Sequence, residues 1–354
     1  MASDASMKAA MLVKPEKIEI HEMPRPTAGA GEVLIRVRAA GICGSDMHLY
    51  DTGRLGPIVL QDPHVPGHEM SGEIAAVGSG VTALQVGQRV VLEPGFACGH
   101  CKMCRSGRYN LCSSVRFVGV PPNHGCMAEC VVAPAQWVYP MPDALSFSAG
   151  ATVEPLAVGL QAAAQGRVGP ESMVAIFGAG MIGLACLEAA LTHGAEHLWV
   201  IDVMERRLAL AKELGAQIIN ARETDVAQEL KRVTGGGPDV IMEATGAPPA
   251  ITAAFKAAAR GATYVAVGYV EEPTMVLDYT AIVRSGVRIE TVFRYANLFP
   301  LAIDVSVRRR ERLARFVTDR FPLEKIADAF ATAHARGDNT IKVMVEMGQG
   351  RQGE

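Results

Sequence analysis

Short apolar runs alternate with longer amphipathic segments through the middle of the chain. From Ser172 onward the apolar runs are MVAIF, HLWVID, AQIIN, PDVIMEAT, GATYVAVG and VRIETVF. Segments between them, such as MERRLALAKELG, place apolar residues at helical spacing, and Gly215 follows as a helix stop. Strands separated by helical crossovers predict an α/β fold with a doubly wound parallel sheet over residues 156–296.

The regions on either side of that unit have a different pattern. Residues 1–155 are rich in glycine and proline, and runs such as EVLIRVRAAGI and GQRVVLEPG suit β-hairpins in a compact barrel. After the parallel-sheet unit, FPLAIDVSVRRRERLARFVTDRFPLEKIADAFATA is typical of helices and NTIKVMVEM of a final strand. We therefore expect a β-rich domain formed by residues 1–155 and 297–354, with the parallel-sheet domain inserted into it.

Composition and charge agree with an ordinary globular enzyme. A chain of 354 residues is too long for one small core, which fits two domains. The net charge of -3 provides no basic field for nucleic acid or an anionic membrane. The uncharged apolar stretch at residues 172–187 is short for a membrane span. With no secretory signal at the N-terminus we expect a cytoplasmic protein, and MKAAML predicts that the natural chain starts at Met7.

A glycine motif follows the first strand of the predicted parallel sheet. VAIFGAGMIG places Gly178, Gly180 and Gly183 in the pattern G-x-G-x-x-G, where a tight turn brings a pyrophosphate close to a helix N-terminus. Asp202 ends the next strand nineteen residues after Gly183, where a carboxylate binds ribose hydroxyls and repels a 2′-phosphate. The motif favours NAD over NADP, although nearby Arg207 could accommodate a phosphate, and a turn that only packs the helix is the alternative.

Half of the chain's 8 cysteines lie in the segment 93–113. Cys98, Cys101, Cys104 and Cys112 follow the spacing C-x2-C-x2-C-x7-C, and four thiolates close a tetrahedral zinc site without room for substrate. The fourth cysteine of an iron–sulfur motif would come after three residues and before proline, which is not the case here. Unliganded thiols are the other alternative. We expect a structural zinc lobe at residues 93–113, and Cys126, Cys130 and Cys186 as buried apolar side chains.

A second set of possible metal ligands is scattered along the chain. GICGSDMH supplies Cys43, Ser45 and His48, VPGHEMSGEIAAVG supplies His68 and Glu69, and ATVEPLAVG supplies Glu154. A thiolate, an imidazole and carboxylates leave one metal position open, as a catalytic zinc requires. From the residues alone, a lone buried cysteine, a turn histidine and a surface glutamate explain the same pattern equally well.

These motifs, in this order, resemble the zinc-dependent medium-chain dehydrogenase family. The similarity includes GICGSDMH, PGHEMSGEIAAVG, the cysteine segment, VEPLAVGLQA and FGAGMIG, and therefore extends over nearly the whole chain. GRYNLC, PPNHG and FRYANLFPLAI are most similar to the polyol branch, the sorbitol (L-iditol) and xylitol dehydrogenases. The resemblance implies a GroES-like catalytic domain, a Rossmann domain, NAD, a catalytic and a structural zinc, and commonly a homotetramer.

The same resemblance implies roles for individual residues. Cys43, His68 and Glu69 would bind the catalytic zinc, and Glu154 would touch it directly or through its bound water. Ser45 and His48 would relay the substrate proton to solvent. Substrate contacts are expected from Arg294, Tyr295, Glu154, Tyr50 and Phe117. NAD contacts are expected from Gly178, Gly180, Ile182, Gly183, Asp202, Arg207, Val267, Gly268, Val292, Phe293 and Arg294.

We therefore expect NAD-dependent, zinc-assisted oxidation of a polyol secondary hydroxyl, at C2 of xylitol or sorbitol, to a ketose. In the animal sorbitol enzymes a substrate-contacting tyrosine directly follows the relay histidine. Here Leu49 follows His48 and Tyr50 comes one place later, so xylitol is at least as good a candidate as sorbitol. The alternatives are another zinc-dependent alcohol or threonine dehydrogenase and, outside enzymes, a zinc-stabilised binding protein.

Overall fold

The computed structural model describes residues 6–270, 274–335 and 337–348. The expected start at Met7 concerns residues 1–6, of which 1–5 lie outside the described residues. The chain divides into two compact units, Met1–Glu154 with Phe299–Glu354, and Pro155–Leu298. Each unit has its own hydrophobic core. Within the described ranges, none of the helices has the length and apolar character that crossing a membrane requires.

The strands of the described residues are β1 (Ser6–Lys14), β2 (Lys17–Pro24), β3 (Glu32–Gly41), β4 (Arg54–Leu55), β5 (Ile58–Val59), β6 (Glu69–Val77), β7 (Arg89–Leu92), β8 (Gly95–Phe96), β9 (Arg116–Phe117), β10 (Cys130–Pro134), β11 (Val138–Pro140), β12 (Met173–Phe177), β13 (His197–Asp202), β14 (Gln217–Asn220), β15 (Val240–Glu243), β16 (Thr263–Ala266), β17 (Arg288–Thr291), β18 (Val317–Pro322) and β19 (Lys342–Glu346).

The α-helices are α1 (Gly44–Thr52), α2 (Lys102–Arg105), α3 (Phe147–Ala151), α4 (Val153–Gly166), α5 (Met181–Thr192), α6 (Glu205–Glu213), α7 (Val226–Thr234), α8 (Pro248–Ala257), α9 (Tyr279–Ser285), α10 (Phe299–Arg308), α11 (Arg310–Ala314) and α12 (Ile326–Ala335). Short 3-10 helices lie at Tyr109–Leu111, Ala135–Trp137 and Leu323–Lys325.

A seven-stranded sheet forms the centre of the first unit. Its order is β11-β7-β6-β3-β19-β18, and β10 also pairs with β3. Strand β3 is central because its side chains are apolar on both faces, and Val33, Leu34 and Ile35 are all buried. The predicted β-rich fold of this part of the chain is confirmed, and β19 confirms the predicted final strand.

One prediction for the C-terminal segment is wrong. The stretch from Phe299 was predicted to be helical throughout, but β18 interrupts it between α11 and α12. Residues of β18 alternate in burial from the buried Val317 onward, and the strand pairs in parallel with β19. The backbone partners on β19 stabilise an extended conformation, and Pro322, which has no N–H to donate, suits the end of this edge strand.

The second unit is built on the predicted parallel sheet. Its six strands have the order β14-β13-β12-β15-β16-β17, and all of its pairs are parallel. Each predicted apolar run contains one of these strands, and helix α6 ends just before Gly215, as expected. Strand β12 lies between β13 and β15, so the direction of winding reverses beside it. Ligands of open α/β sheets bind at the carboxyl ends of the strands at this position.

Candidate active site

Three neighbouring strands of the first unit bring the candidate ligands together. Strands β3 and β6 are antiparallel with Gly41 opposite Glu69, so Cys43, just after β3, lies beside His68, just before β6. Strand β19 pairs with β3 on its other side and begins at Lys342. The ligand atoms of Cys43, His68 and Glu69 all lie within 4.8 Å of one another.

This cluster is buried and surrounded by negative charge. His68 and Glu69 are buried and Cys43 is half-buried. Burial by itself lowers the pKa of the His68 imidazole, but the charge and hydrogen bond of Cys43 and the charges of Asp46 and Glu154 raise it to about 10. Such surroundings favour a cation. The thiolate, imidazole and carboxylate fit a zinc ion with one position open.

Asp46 holds the two segments that carry Cys43 and His68. Its Oδ2 accepts a hydrogen bond from Cys43 N at 2.8 Å, and its Oδ1 accepts one from Gly67 N at 2.9 Å. Burial raises the pKa of the Asp46 carboxyl, against the opposing effects of His68 and the two N–H donors. Sequence reasoning missed this residue, although an acid three positions after Cys43 at the start of a helix indicates a capping role.

Glu69 forms a buried ion pair with Lys342. The Lys342 Nζ lies 2.8 Å from Oε1 and 2.7 Å from Oε2 of Glu69, and it donates a third hydrogen bond to Ile42 O at 2.9 Å. Burial lowers the pKa of Lys342, but the negative charges of Glu69 and Cys43 outweigh it and the net pKa is raised. Sequence reasoning missed Lys342, whose signal is a single lysine inside the apolar run TIKVMV.

The predicted relay residues and Glu154 lie on two helices. Glu154 is buried near the start of α4, and its charge contributes to the raised pKa of His68. Its contact with a metal stays a prediction. Ser45 and His48 are half-buried and three residues apart on α1, which places them on one side of that helix. Their part in proton transfer stays a prediction.

The predicted substrate residues of the first unit lie in different surroundings. The Phe117 ring is buried, with its centroid 5.3 Å from that of the His68 ring, so it forms part of the wall of the site. The Tyr50 hydroxyl donates to Glu16 O at 3.3 Å, and its ring packs on Phe330 at 5.1 Å. These contacts give Tyr50 a packing role, and its substrate contact stays a prediction.

Arg294 and Tyr295 follow β17 in the second unit. Tyr295 is buried, whereas Phe293 is 53% exposed. The Arg294 guanidinium carbon lies 4.5 Å from the centre of the Phe293 ring. The backbone of Arg294 is left-handed with φ of 59°, a conformation that costs free energy for a residue with a Cβ and that often accompanies a functional site.

The four cysteines of the predicted zinc lobe converge. Their sulfur atoms all lie within 4.8 Å of one another. Hydrogen bonds from the backbone N–H groups of His100 and Cys101 lower the pKa of Cys98 to about 6, while burial and the Cys101 sulfur raise that of Cys104 to about 12. Four thiolates this close repel one another without a cation, and a closed tetrahedral zinc fits the set. The three cysteines outside both candidate metal sites, Cys126, Cys130 and Cys186, are buried as predicted.

Glu93 attaches this lobe to the barrel. Its buried carboxylate accepts hydrogen bonds from the Tyr109 hydroxyl at 2.7 Å and the Tyr139 hydroxyl at 3.0 Å. Burial raises the pKa of Glu93, and the two phenols oppose that shift. The Tyr109 ring also meets Trp137 edge-on at 5.2 Å. These contacts fix the position of the lobe on the first unit.

The glycine loop of the second unit lies at the carboxyl end of β12. Gly178 has φ of 100°, and a Cβ at Gly183 would collide with the Gly178 carbonyl oxygen. Asp202 accepts hydrogen bonds from Ala179 N at 2.6 Å, Val203 N at 2.7 Å and Met204 N at 2.9 Å. Asp202 is the last residue of β13, and its carboxylate also fixes the glycine loop through Ala179 N.

Other predicted cofactor residues surround this loop. Arg207 Nη1 lies 3.8 Å from the position that a Cβ on Gly180 would occupy, so its guanidinium lies beside the loop. Ile182 is half-buried in the first turn of α5. The N–H of Val292 donates to Ala266 O at 2.9 Å, which places it beyond the paired ends of β16 and β17.

Glu243 accepts hydrogen bonds from the loops that follow β15 and β16. Its side chain accepts hydrogen bonds from Thr245 N at 2.7 Å, from the Thr245 hydroxyl and from Gly246 N at 3.1 Å. Its carbonyl oxygen accepts from Val267 N at 2.9 Å and Gly268 N at 2.7 Å. Sequence reasoning missed Glu243, although a single acid at the end of the buried run VIME is the signal for it.

Both units of this chain contain residues that match known protein families. The alcohol dehydrogenase GroES-like domain matches residues 29–143, and zinc-binding dehydrogenase matches residues 182–308. Sorbitol dehydrogenase of Bacillus subtilis is 40% identical over 342 residues, 96% of this chain and 97% of the relative. A Rhizobium meliloti protein provisionally named D-xylulose reductase is 38% identical over 343 residues, 96% of this chain and 99% of the relative. A crystal structure of an Escherichia coli alcohol dehydrogenase with NADH is 31% identical with a TM-score of 0.87, covering 97% of this chain and 99% of that one.

The first match contains both cysteine-bearing sites, and the second contains Asp202 and the residues after β17. The predicted GroES-like and Rossmann folds and the family resemblance are therefore confirmed. The chain belongs to the zinc-dependent medium-chain dehydrogenase family.

Proposed function

We propose that this protein oxidises a secondary hydroxyl of an open-chain polyol, xylitol or sorbitol, to the ketose, with NAD as the hydride acceptor. The observation that carries the proposal is the set of Cys43, His68 and Glu69, with ligand atoms within 4.8 Å of one another and two of the three residues buried. The relatives named for sorbitol and D-xylulose support the substrate class. Leu49 directly follows His48, where the animal sorbitol enzymes have a substrate-contacting tyrosine, so xylitol is as good a candidate substrate as sorbitol.

The chain's own residues divide the chemistry between them. Cys43, His68 and Glu69 would hold a zinc ion, which would supply a Lewis acid that lowers the pKa of the substrate hydroxyl. Ser45 and His48 carry the hydroxyl proton toward solvent, a task that suits an imidazole. NAD⁺ would accept the hydride, with its electron pair, from the carbinol carbon, which would become the carbonyl carbon of the ketose.

Each unit supplies its own proposed contacts. Glu154 would touch a bound metal directly or through water, and Phe117 supplies an apolar wall beside His68. Asp202 binds the adenosine ribose and disfavours NADP, and Arg294 binds polyol hydroxyls. The second zinc is structural and is held by the four cysteines of the lobe, which gives two zinc ions per chain.

We also propose a homotetramer in the cytoplasm. Strand β17 is an edge of its sheet and carries Ile289, which is 51% exposed, and the preceding helix α9 carries Tyr279 at 76% and Val283 at 61%. Edge strands with exposed apolar residues are common at contacts between subunits. All eight cysteines lie among the described residues and none of them forms a disulfide, which fits a reducing compartment.

An NADH absorbance assay tests the proposal. Xylitol, sorbitol, threonine and 2-propanol are each offered with NAD and with NADP, and Cys43→Ser serves as the control that lacks one metal ligand. We expect the highest kcat/KM for a polyol with NAD and no activity in the control. A preference for threonine or 2-propanol would contradict the polyol assignment, and no turnover of any alcohol would favour a binding protein.

A further inference from the structure

The Glu69 carboxylate has two partners. It belongs to the set of ligand atoms within 4.8 Å of one another, and both of its oxygens lie within hydrogen-bond distance of Lys342 Nζ. Glu69 is 0% exposed and Lys342 is 3% exposed, so water does not compete for either charge. A carboxylate has enough lone pairs to accept hydrogen bonds from an ammonium group and to bind a metal as well.

The backbone fixes this arrangement. The Glu69 carboxylate passes over Gly41, where a Cβ would collide with Glu69 Oε2. Lys342 Nζ is held in turn by Ile42 O, and Ile42 N donates to Val343 O at 3.0 Å. The pair therefore depends on the register of β6, β3 and β19 rather than on two freely moving side chains.

The charges around Glu69 indicate how the Lys342–Glu69 pair affects the proposed metal site. Cys43, Asp46, Glu69 and Glu154 all bring negative charge to this cluster when ionised, and Lys342 is the cation that contacts one of them. An ammonium group that shares a carboxylate reduces the negative charge available to a metal on its other side. Outer contacts that orient metal ligands raise metal affinity by about 10- to 100-fold, and we expect an effect of similar size but opposite sign where the outer contact is a cation on the ligand's own carboxylate.

We propose that Lys342 is a positioning residue that keeps Glu69 a weak and exchangeable metal ligand, leaving a coordination position available to substrate. Without the ammonium, Glu69 would carry its full charge toward the metal and bind it more tightly. The inference rests on the proposed catalytic zinc site. Lys342, the first residue of β19 and far in sequence from the proposed ligands, would therefore control how strongly Glu69 binds the metal.

The test compares Lys342→Met with wild type and with Lys325→Met, a change at an exposed lysine. Holoenzyme is treated with a chelator and release of the catalytic zinc is followed. Co²⁺-substituted enzyme then reports ligand geometry through its visible spectrum. We expect about tenfold slower release and a shifted Co²⁺ spectrum in Lys342→Met, with both unchanged in Lys325→Met. Release as fast as in wild type, or an unchanged Co²⁺ spectrum, would overturn the proposal.

Two further variants separate this effect from a structural role. In a Glu69→Gln background, adding Lys342→Met should slow release no further, because the carboxylate it acts on is gone. Lys342→Gln keeps a hydrogen-bond donor without the charge and should move release in the same direction if Lys342→Met does not fold; faster release in Lys342→Gln would contradict the proposal. These readouts need no substrate. A failure to oxidise polyols would therefore reject the proposed function without deciding this point.

Discussion

The carboxylate of Asp46 accepts a hydrogen bond of 2.9 Å from the backbone N of Gly67, 21 residues later in the chain. Its other oxygen accepts a bond of 2.8 Å from Cys43 N. One buried acid therefore sets the positions of Cys43, the proposed thiolate ligand, and of the residue just before His68, the proposed imidazole ligand.

Asp46→Asn should weaken the catalytic metal site. The amide keeps the size of the side chain, but its NH₂ group would face one of the two N–H donors that the carboxylate now accepts. We expect about 10- to 100-fold weaker retention of the catalytic zinc, with the zinc of the cysteine lobe unaffected. Elemental analysis after mild chelation measures this, and Asp62→Asn at an exposed aspartate is the matched control. Equal retention in both variants would show that Asp46 only caps α1.

Cys101→Ser and Cys43→Ser should each remove one zinc per chain, but the first should mainly reduce stability and the second should mainly reduce activity. Cys101 belongs to the closed set and accepts a hydrogen bond from Cys104 N, so its loss should lower Tm and impair assembly. Cys43 belongs to the open set, so its loss should abolish turnover with a smaller change in Tm. Zinc content, Tm and kcat are measured on both variants. One zinc in fully active wild-type enzyme would contradict the two-site proposal.

The features that the sequence predicted well are local. The run HLWVID coincides with β13, and the glycine motif is contained in one strand–turn–helix unit. Strand β18 was missed because its partner β19 begins 25 residues after β18 begins, and helical spacing alone cannot show that partner. The pair Lys342–Glu69 was missed for the same reason, since 273 residues separate its members and the register of three strands brings them together.

Asp202→Ala should shift cofactor preference toward NADP. The change removes a negative charge that repels a 2′-phosphate, and Arg207 lies close to the loop where it can attract one. NAD should also bind more weakly, because Asp202 accepts a hydrogen bond from Ala179 N in the glycine loop. The ratio of kcat/KM for NADP and NAD measures the shift. Adding Arg207→Ala should cancel the gain with NADP, and an unchanged ratio in Asp202→Ala would place the ribose contact elsewhere.

His48→Ala should reduce turnover most at low pH. Removal of the hydroxyl proton is hardest there, so the loss of a relay group is felt most, and hydroxide takes over its role as pH rises. The measurement is kcat with the best polyol across the pH range in which the protein stays folded. His21→Ala, at an exposed histidine of β2, is the control. A uniform loss at every pH would instead indicate that His48 supports the packing of α1.

Arg294→Ala should reduce activity on polyols more than on simple alcohols. Arg294 directly follows Phe293 beyond β17, and its guanidinium lies over that ring at 4.5 Å. A guanidinium presents several N–H donors in one plane, which suits the neighbouring hydroxyls that a polyol has and a simple alcohol lacks. Loss of those hydrogen bonds should cost about 1 to 3 kcal/mol in the transition state, a decrease of about five- to 150-fold in kcat/KM.

Two comparisons make this prediction specific to substrate recognition. Arginine and alanine both carry a Cβ, so the strain of the left-handed backbone at φ of 59° is the same in wild type and in Arg294→Ala. Arg260→Ala, at an exposed arginine of the same unit, controls for loss of charge. Activity on xylitol and sorbitol should fall in Arg294→Ala alone, while 2-propanol and a short diol, where turned over measurably, change little. Equal losses on all substrates with a higher KM for NAD would assign Arg294 to the cofactor, and polyol specificity would then reside in other side chains.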